Sequence, residues 1–371
     1  MRRTLLAIGL AASAVAGCRP TASAPIVVPS PAAEMTEPVA PSSAPLPTAA
    51  PKTPGTGRVT LSNAPLVGDD RPQLLFQVPG EHRLRAIAWA DATNGVLVGE
   101  VASQATVWPS PDGRRYVLNG KIYAAGGREL GALPWDDTSL PTWSPDGQLL
   151  CRALPESPRT GAPMELQTVV PGQRPRTVAT GYGTYSDNAG YPVLACDAAT
   201  DRVIVASLGQ GLFAGHLWVF RLSTGALIRS EDLGANAAGS WLAASADGTL
   251  LAHSVQATLT DRPTTIIRAA DSPTALQTLP SFEGHAFSGD GTLLVGVAGA
   301  DVVAIVDWKT ARRTWSVSGQ RYGGSLAEPD GTHVAVELTA VGLVEGGAVH
   351  IVGPDGTSVS LPPGVRASLR Y

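Results

Sequence analysis

No stretch of this sequence carries a convincing 3.6-residue apolar periodicity, so very little helix is expected. Histidine is scarce. The six residues His82, His216, His253, His285, His333 and His350 include no pair at His-x-x-x-His spacing, and no Asp-rich calcium loop is present. No metal, cofactor or catalytic residue is therefore assigned. A basic stripe is also missing. The formal net charge is −4 with both signs scattered, and charged residues are only 16% of the chain, which argues against nucleic acid as a partner and against an electrostatic docking tail. The absence of a Gly-x-Ser-x-Gly elbow removes a prolyl-peptidase reading. Finally, the apolar run near the N-terminus is too short to cross a bilayer, which takes roughly 20 apolar residues.

What that run does resemble is an export signal. Arg2 and Arg3 form a basic start, and Leu5 to Ala16 form the apolar stretch. The tetrad Val15-Ala16-Gly17-Cys18 resembles the bacterial lipobox: a branched apolar residue, two small ones, then Cys. The resemblance implies a signal peptide over 1–17, removal of that peptide, and diacylglycerol or palmitate-type acylation of the Cys18 thiol. Anchoring by two or three acyl chains would be durable, whereas one chain holds only marginally. The alternative is an ordinary signal peptide with an incidental Cys.

Residues 18–56 read as lipidated Cys18 followed by a Pro/Ala-rich tether. Ten prolines fall between Pro20 and Pro54, and the first aromatic residue is Phe76. Such a composition buries too little apolar surface to offset chain entropy. Polyproline II at about 3.1 Å per residue would make it a semi-rigid spacer reaching at most on the order of 100 Å.

From residue 57 to 371 the composition is globular, and it repeats. Trp108-Pro109-Ser110-Pro111-Asp112-Gly113, Trp143-Ser144-Pro145-Asp146-Gly147, Ala244-Ser245-Ala246-Asp247-Gly248, Phe287-Ser288-Gly289-Asp290-Gly291 and Ala327-Glu328-Pro329-Asp330-Gly331 each precede an apolar run. Degenerate copies are read at Trp89 to Gly95 and at Ala195 to Asp201. Asp-Gly tolerates the positive φ of tight turns, and β-favouring residues flank it. Successive Asp residues (112, 146, 201, 247, 290, 330) are spaced by 34, 55, 46, 43 and 40, and a period near 40 to 45 is a propeller signature. Second hairpins are expected around Ser223-Thr224-Gly225, Lys309-Thr310-Ala311 and Gly353 to Gly356.

The aromatic-Ser-Pro-Asp-Gly turn followed by an apolar strand resembles WD-repeat-like and TolB-type β-propellers over essentially 57–371. Regular Gly-His and Trp-Asp pairs are absent, which favours the TolB-like kind. The resulting expectation is an all-β propeller of seven four-stranded blades, with six or eight also compatible and a pair of β-sandwiches as the competing architecture. The short interval from Gly95 to Gly113, 18 residues, is unexplained at this level. The turns lack the final aromatic of sialidase Asp boxes, and the eight tryptophans share no repeat position that would mark a quinone-binding propeller.

Cys151 and Cys196 are the thiols that remain beside Cys18. They fall in adjacent repeats, and a bridge requires Cα atoms within about 7 Å; two buried free thiols are the commoner fate of such a pair. The acid–histidine groupings are Glu81-His82-Arg83 and Glu283 with His285. Candidate contact surface is read at Pro155 to Pro175, Gly209 to Gly215, and Gly181-Tyr182-Gly183-Thr184-Tyr185. Together these features favour a monomeric, non-enzymatic lipoprotein, exported and lipid-anchored to a bacterial cell membrane or outer membrane. Its propeller would bind an envelope protein or other surface ligand, in the periplasm or outside the cell. The alternative is a lactonase- or hydrolase-type propeller with its site at the channel mouth.

Overall fold

The computed structural model describes residues 59–66, 72–78, 81–89, 92, 94–100, 107–133, 141–157, 159–185, 190–208, 214–233, 239–256, 258, 261–299, 301–340, 347–362 and 365. These form seven four-stranded sheets, the number of blades expected from the repeats. Among the described residues there is no helix.

Blade 1 contains β1 (Thr60–Pro65), β2 (Gln73–Gln77), β3 (Arg83–Ala88) and β4 (Asn94–Glu100). Blade 2 contains β5 (Val107–Pro109), β6 (Arg115–Leu118), β7 (Lys121–Ala124) and β8 (Glu129–Ala132). Blade 3 contains β9 (Thr142–Trp143), β10 (Leu150–Pro155), β11 (Pro163–Val169) and β12 (Arg176–Thr184). Blade 4 contains β13 (Val193–Asp197), β14 (Arg202–Leu208), β15 (Ala214–Arg221) and β16 (Leu227–Asp232). Blade 5 contains β17 (Gly239–Ala244), β18 (Leu250–Gln256), β19 (Thr264–Ala269) and β20 (Ala275–Pro280). Blade 6 contains β21 (Phe282–Phe287), β22 (Leu293–Ala298), β23 (Val302–Asp307) and β24 (Arg312–Ser318). Blade 7 contains β25 (Gln320–Ala327), β26 (Val334–Ala340), β27 (Ala348–Val352) and β28 (Ser358–Ser360).

Blades 2 to 7 are plain antiparallel meanders. Their first strands neighbour one another from blade to blade, as β17 does β21 and β21 does β25, so these are the inner strands of the ring. Fourth strands such as β16 are largely exposed and form its outer wall. Second and third strands are buried on both faces, which explains runs such as Val203 to Ala206 and Val303 to Val306 with no polar alternation. Blade faces then pack on each other. Ile204, Leu217 and Val219 of blade 4 meet Leu242 and Leu251 of blade 5. Each such fully buried side chain contributes about 1.5–3 kcal/mol of transfer free energy. The ring closes in the same way: Leu74, Phe76, Ile87 and Trp89 of blade 1 pack with Ala335, Val349, Ile351, Leu361 and Val365 at the end of blade 7.

Blade 1 is out of phase with the repeat. In blades 2, 4 and 5 the residue after the third strand donates to the carbonyl just before the second: Ala125 to Arg114 at 2.7 Å, Leu222 to Asp201 at 3.2 Å, Ala270 to Thr249 at 2.8 Å. In blade 1 the same bond runs from Trp89 to Pro72 at 3.4 Å, so β2, β3 and β4 match second, third and fourth strands. The Trp89 to Gly95 turn therefore joins a third strand to a fourth, so the sequence reading of it as a degenerate copy of the Ser-x-Asp-Gly turn is corrected. This also accounts for the 18-residue interval to Gly113: among the described residues, only β4 and the inner strand β5 lie between the two turns. Outside β4 sits β1, paired to it in parallel.

Candidate functional site

Two constructions stand out, one at an end of the ring and one on its inner strands. The first is made by the turns between first and second strands. In four blades, Ser110, Ser144, Ser245 and Ser288 each donate Oγ–H to the following Asp carboxylate (Asp112, Asp146, Asp247, Asp290) at 2.5–2.6 Å. Each Oγ also accepts the backbone N–H five residues on, and each Asp accepts the N–H two residues on. Gly113, Gly147, Gly248 and Gly291 follow at φ +64° to +70°, a left-handed conformation that favours glycine. In blade 7 Glu328 replaces Ser. Its carboxylate meets His333 Nδ1 at 2.6 Å, and Asp330 takes the positive φ. Blade 4 uses Asp197 and Asp201 at the equivalent turn, Asp197 accepting from Ala199 and Thr200.

These turns also clasp their neighbours. Gln73 N–H donates to Asp112 O at 3.1 Å and Asp290 N–H to Gly331 O at 3.0 Å. Arg115 donates to Gly147 O at 2.6 Å and Thr200 Oγ1 to Asp247 O at 2.5 Å. One end of the ring is thus a rim of hydrogen-bonded turns in blades 2 to 7, tied across the boundaries between blades 1 and 2, 2 and 3, 4 and 5, and 6 and 7.

The second construction spans the inner strands of blades 5, 6 and 7. A β-bulge in β21 inserts His285 between Gly284 and Ala286, and another in β25 inserts Gly323 between Tyr322 and Gly324; bulges re-aim side chains. The His285 ring stacks on Tyr322, with centroids 4.4 Å apart and planes at 21°. Trp241 meets it edge-on at 4.7 Å and donates Nε1–H to the His285 carbonyl at 3.4 Å. Tyr322 Oη and Ser325 Oγ are 2.8 Å apart. On the open side Glu283 Oε1 lies 3.3 Å from His285 Nε2, with side-chain exposures of 35% and 9%. Burial lowers the His285 pKa to about 4, so the ring is neutral at pH 7, and it raises that of the Glu283 carboxyl. His285 Nδ1 is buried without a hydrogen-bond partner.

Of the residues named from sequence, Glu283 and His285 are brought together, while Trp241 and Tyr322 were missed. They come from blades whose inner strands carry no shared motif. Glu81, His82 and Arg83 do not form an acid–histidine site. Glu81 pairs with Arg85 at 2.8 Å, His82 is exposed, and Arg83 donates to Asn63 at 3.1 Å. With Arg85 donating to Ser62 O at 2.8 Å, this group fastens β1 to the blade. Pro155 to Pro175 is not one insertion. It contains the strand β11, with a connection before it and a turn after it at opposite ends of the blade. In the Gly181 to Tyr185 stretch, Tyr182 turns inward against Trp218 and Phe220 at 5.4 and 5.3 Å. Residues 209–213 lie outside the described residues, and Gly215 belongs to β15. Cys151 and Cys196, for which free thiols were the commoner expectation, are joined in a disulfide between blades 3 and 4 with Cα atoms 5.9 Å apart. Cys18 and the tether lie outside the described residues.

The fold and its repeat place the chain among seven-bladed β-propellers. No protein-family model matches the sequence, and no curated protein matches it. Among solved structures, a chain of a mitotic checkpoint complex is 14% identical, with 89% of each chain covered and a TM-score of 0.46. A chain from a eukaryotic initiation factor structure is 12% identical, covering 80% of this chain and 89% of that one, also at a TM-score of 0.46. Likeness at this level extends no statement about function to this chain.

Proposed function

We propose that this protein is a non-enzymatic binding or scaffolding module of a bacterial cell envelope, held to a membrane by lipid on Cys18 and presenting its propeller to a protein partner. The observation that carries the binding reading is the rim of Ser-Asp-Gly turns. Its side chains and backbone are fixed before any partner arrives, so association orders little of it, and preorganisation of that kind favours affinity. Fold alone does not give function; the rim is the surface on which a partner site would be grafted. The lipobox-like Val15-Ala16-Gly17-Cys18 supports the anchored location.

Expression in a bacterial host tests the anchor. Wild-type protein is expected in the membrane fraction, and Cys18→Ser is expected to appear soluble with unchanged thermal unfolding. A variant that stays with the membrane would overturn the lipid assignment. In-cell cross-linking of the anchored form then tests the scaffold reading, which fails if no protein is captured reproducibly. A hydrolase reading draws on one specific observation, the Glu283–His285 contact; lactone or ester turnover lost in Glu283→Gln would favour it.

A further inference from the structure

We propose that the outer edge of blades 3, 4 and 5, at the end of the ring that carries the rim turns, docks on an anionic lipid surface. The contact presupposes the anchored reading and gives the tethered ring a second attachment to its membrane. Among the described residues four large apolar side chains are exposed: Val170, Leu227, Ile228 and Leu276. Exposed apolar residues scattered singly need no explanation, but these are not scattered. All four lie at turns between third and fourth strands in three successive blades: Val170 directly after β11, Leu227 and Ile228 at the start of β16, Leu276 at the start of β20. Ile228 and Leu276 hold the same place in the repeat. Each is bulged out of the pairing between its fourth strand and the third: Leu227 faces Phe220 and Arg229 faces Val219, while Ala275 faces Arg268 and Gln277 faces Ile267. A bulge re-aims its side chain, and here it leaves an apolar one in water.

Arginines bridge the three turns into one surface. Arg176 of blade 3 donates to Leu222 O at 2.9 Å and Ser223 O at 3.2 Å in the turn of blade 4. Arg229 of blade 4 donates to Ser272 O at 2.7 Å and Ala270 O at 3.3 Å in the turn of blade 5. The exposed charges of these turns are Arg174, Arg176 and Arg221 against one acid, Asp271. Arg202 pairs with that acid at 2.7 Å, and Arg221 stands 3.9 Å from Asp201. Protruding apolar side chains set among cations match a bilayer with anionic headgroups, because the side chains enter the interface and the guanidinium groups meet the surface charge. The junction with the N-terminal segment lies at the same end. β1 runs parallel to β4 with Thr60 opposite Asn94, and Asn94 begins a fourth strand, so the segment that carries Cys18 joins the ring where these turns lie. Four partly exposed side chains bury less apolar surface than one acyl chain, itself a marginal anchor. The contact therefore orients an anchored ring and does not hold a released one. Contact along the outer edge of three blades leaves the rim turns of blades 2, 6 and 7 open to a protein partner.

Thiol labelling tests this on the intact chain in vesicles of phosphatidylcholine and phosphatidylglycerol that carry doxyl-labelled lipid. Leu276→Cys takes an environment-sensitive dye on the surface. Glu156→Cys takes it on the exposed connection between β10 and β11, at the opposite end of blade 3. Cys151 and Cys196 are bridged, so dye uptake by the wild-type chain reports a free Cys18. Such uptake means that the anchor reading fails, and the two labels are then read in a Cys18→Ser chain with vesicles in excess. The dye at 276 is expected to shift to the blue and to be quenched by the doxyl lipid, and the dye at 156 to do neither. Vesicles of phosphatidylcholine alone, or Arg174→Gln together with Arg221→Gln, are expected to abolish most of that quenching. The proposal is overturned if the dye at 276 is quenched no more than the dye at 156, or if quenching survives either the neutral lipid or the double substitution. It is also overturned if the dye at 276 shifts without lipid as protein concentration rises, which would assign the patch to a second copy of the chain.

Discussion

Burial lowers the pKa values of three histidines, His253, His285 and His350, and should make this propeller sensitive to mild acid. His253 on β18 is 8% exposed, and its pKa falls from 6.5 to about 4, chiefly through burial and then through the charge of Arg268. His285 falls likewise from 6.5 to about 4 through burial. A histidine whose folded pKa is depressed binds fewer protons in the native state than in the unfolded one across that window. Stability therefore rises with pH between about 4 and 6.5 and is lost as pH drops through it. Glu283 acts in the opposite sense, because its raised pKa favours the protonated carboxyl on folding, so it offsets part of the His285 effect. His253 gives the cleaner test. Denaturant unfolding at pH 7.5 and pH 4.5 should differ by roughly 2–3 kcal/mol on its account, and His253→Gln should reduce that difference. Equal pH dependence in the two proteins would show that His253 is not held neutral.

The rim turns of blades 6 and 7 meet closely at Gly289. Gly289 occupies the position filled by Pro111, Pro145 and Ala246 in other blades, and a Cβ on it would fall 1.7 Å from Glu328 O and 2.9 Å from Asp330 N. Both obstacles are backbone, held in place by the Asp290 to Gly331 hydrogen bond. Gly289→Ala should therefore destabilise by about 1–3 kcal/mol or more, as overpacking does. An unchanged denaturation midpoint would contradict the close approach. Position 289 also shows what can be read from sequence at this scale and what cannot. The Ser-x-Asp-Gly turns and the hairpins at Ser223, Lys309 and Gly353 were legible because their chemistry is local: a side chain bonding its own backbone, and a residue at positive φ, glycine in most of them and Ala311 after Lys309. The phase of blade 1 was not, since a turn after a third strand resembles one after a first strand. Parallel pairing of β1 with β4 is non-local and leaves no signal in either segment. The Glu283–His285 pair was visible as near neighbours, but Trp241 and Tyr322 lie 44 and 37 residues from His285 and meet it only through blade-to-blade contact.

Among the described residues, blades are joined by side-chain packing, hydrogen bonds and ion pairs such as Arg268 with Glu231, and by one covalent link. The Cys151–Cys196 disulfide joins the second strand of blade 3 to the inner strand of blade 4, closing a loop with a sequence separation of 45. Both cysteines are fully buried, in a cluster with Met164, Leu166, Val203 and Phe220. On the chain-entropy account such a crosslink restricts the unfolded chain by about 4 kcal/mol, and measured values are commonly about 2–4 kcal/mol. A bridge of this kind fits an exported protein, because disulfides persist in oxidising compartments. Three outcomes follow from its placement. Protein unfolded without reductant should present neither Cys151 nor Cys196 to a thiol reagent; two labelled thiols would sink the bridge. Native protein should resist reductant that reduces the unfolded chain, because reagent must first reach a sealed interior. The double variant Cys151→Ala, Cys196→Ala should fold to the same propeller but unfold at lower denaturant. That loss should concentrate at the boundary between blades 3 and 4, where hydrogen exchange of β10 and β13 would quicken first while the Ser245 and Ser288 turns of blades 5 and 6 kept their protection.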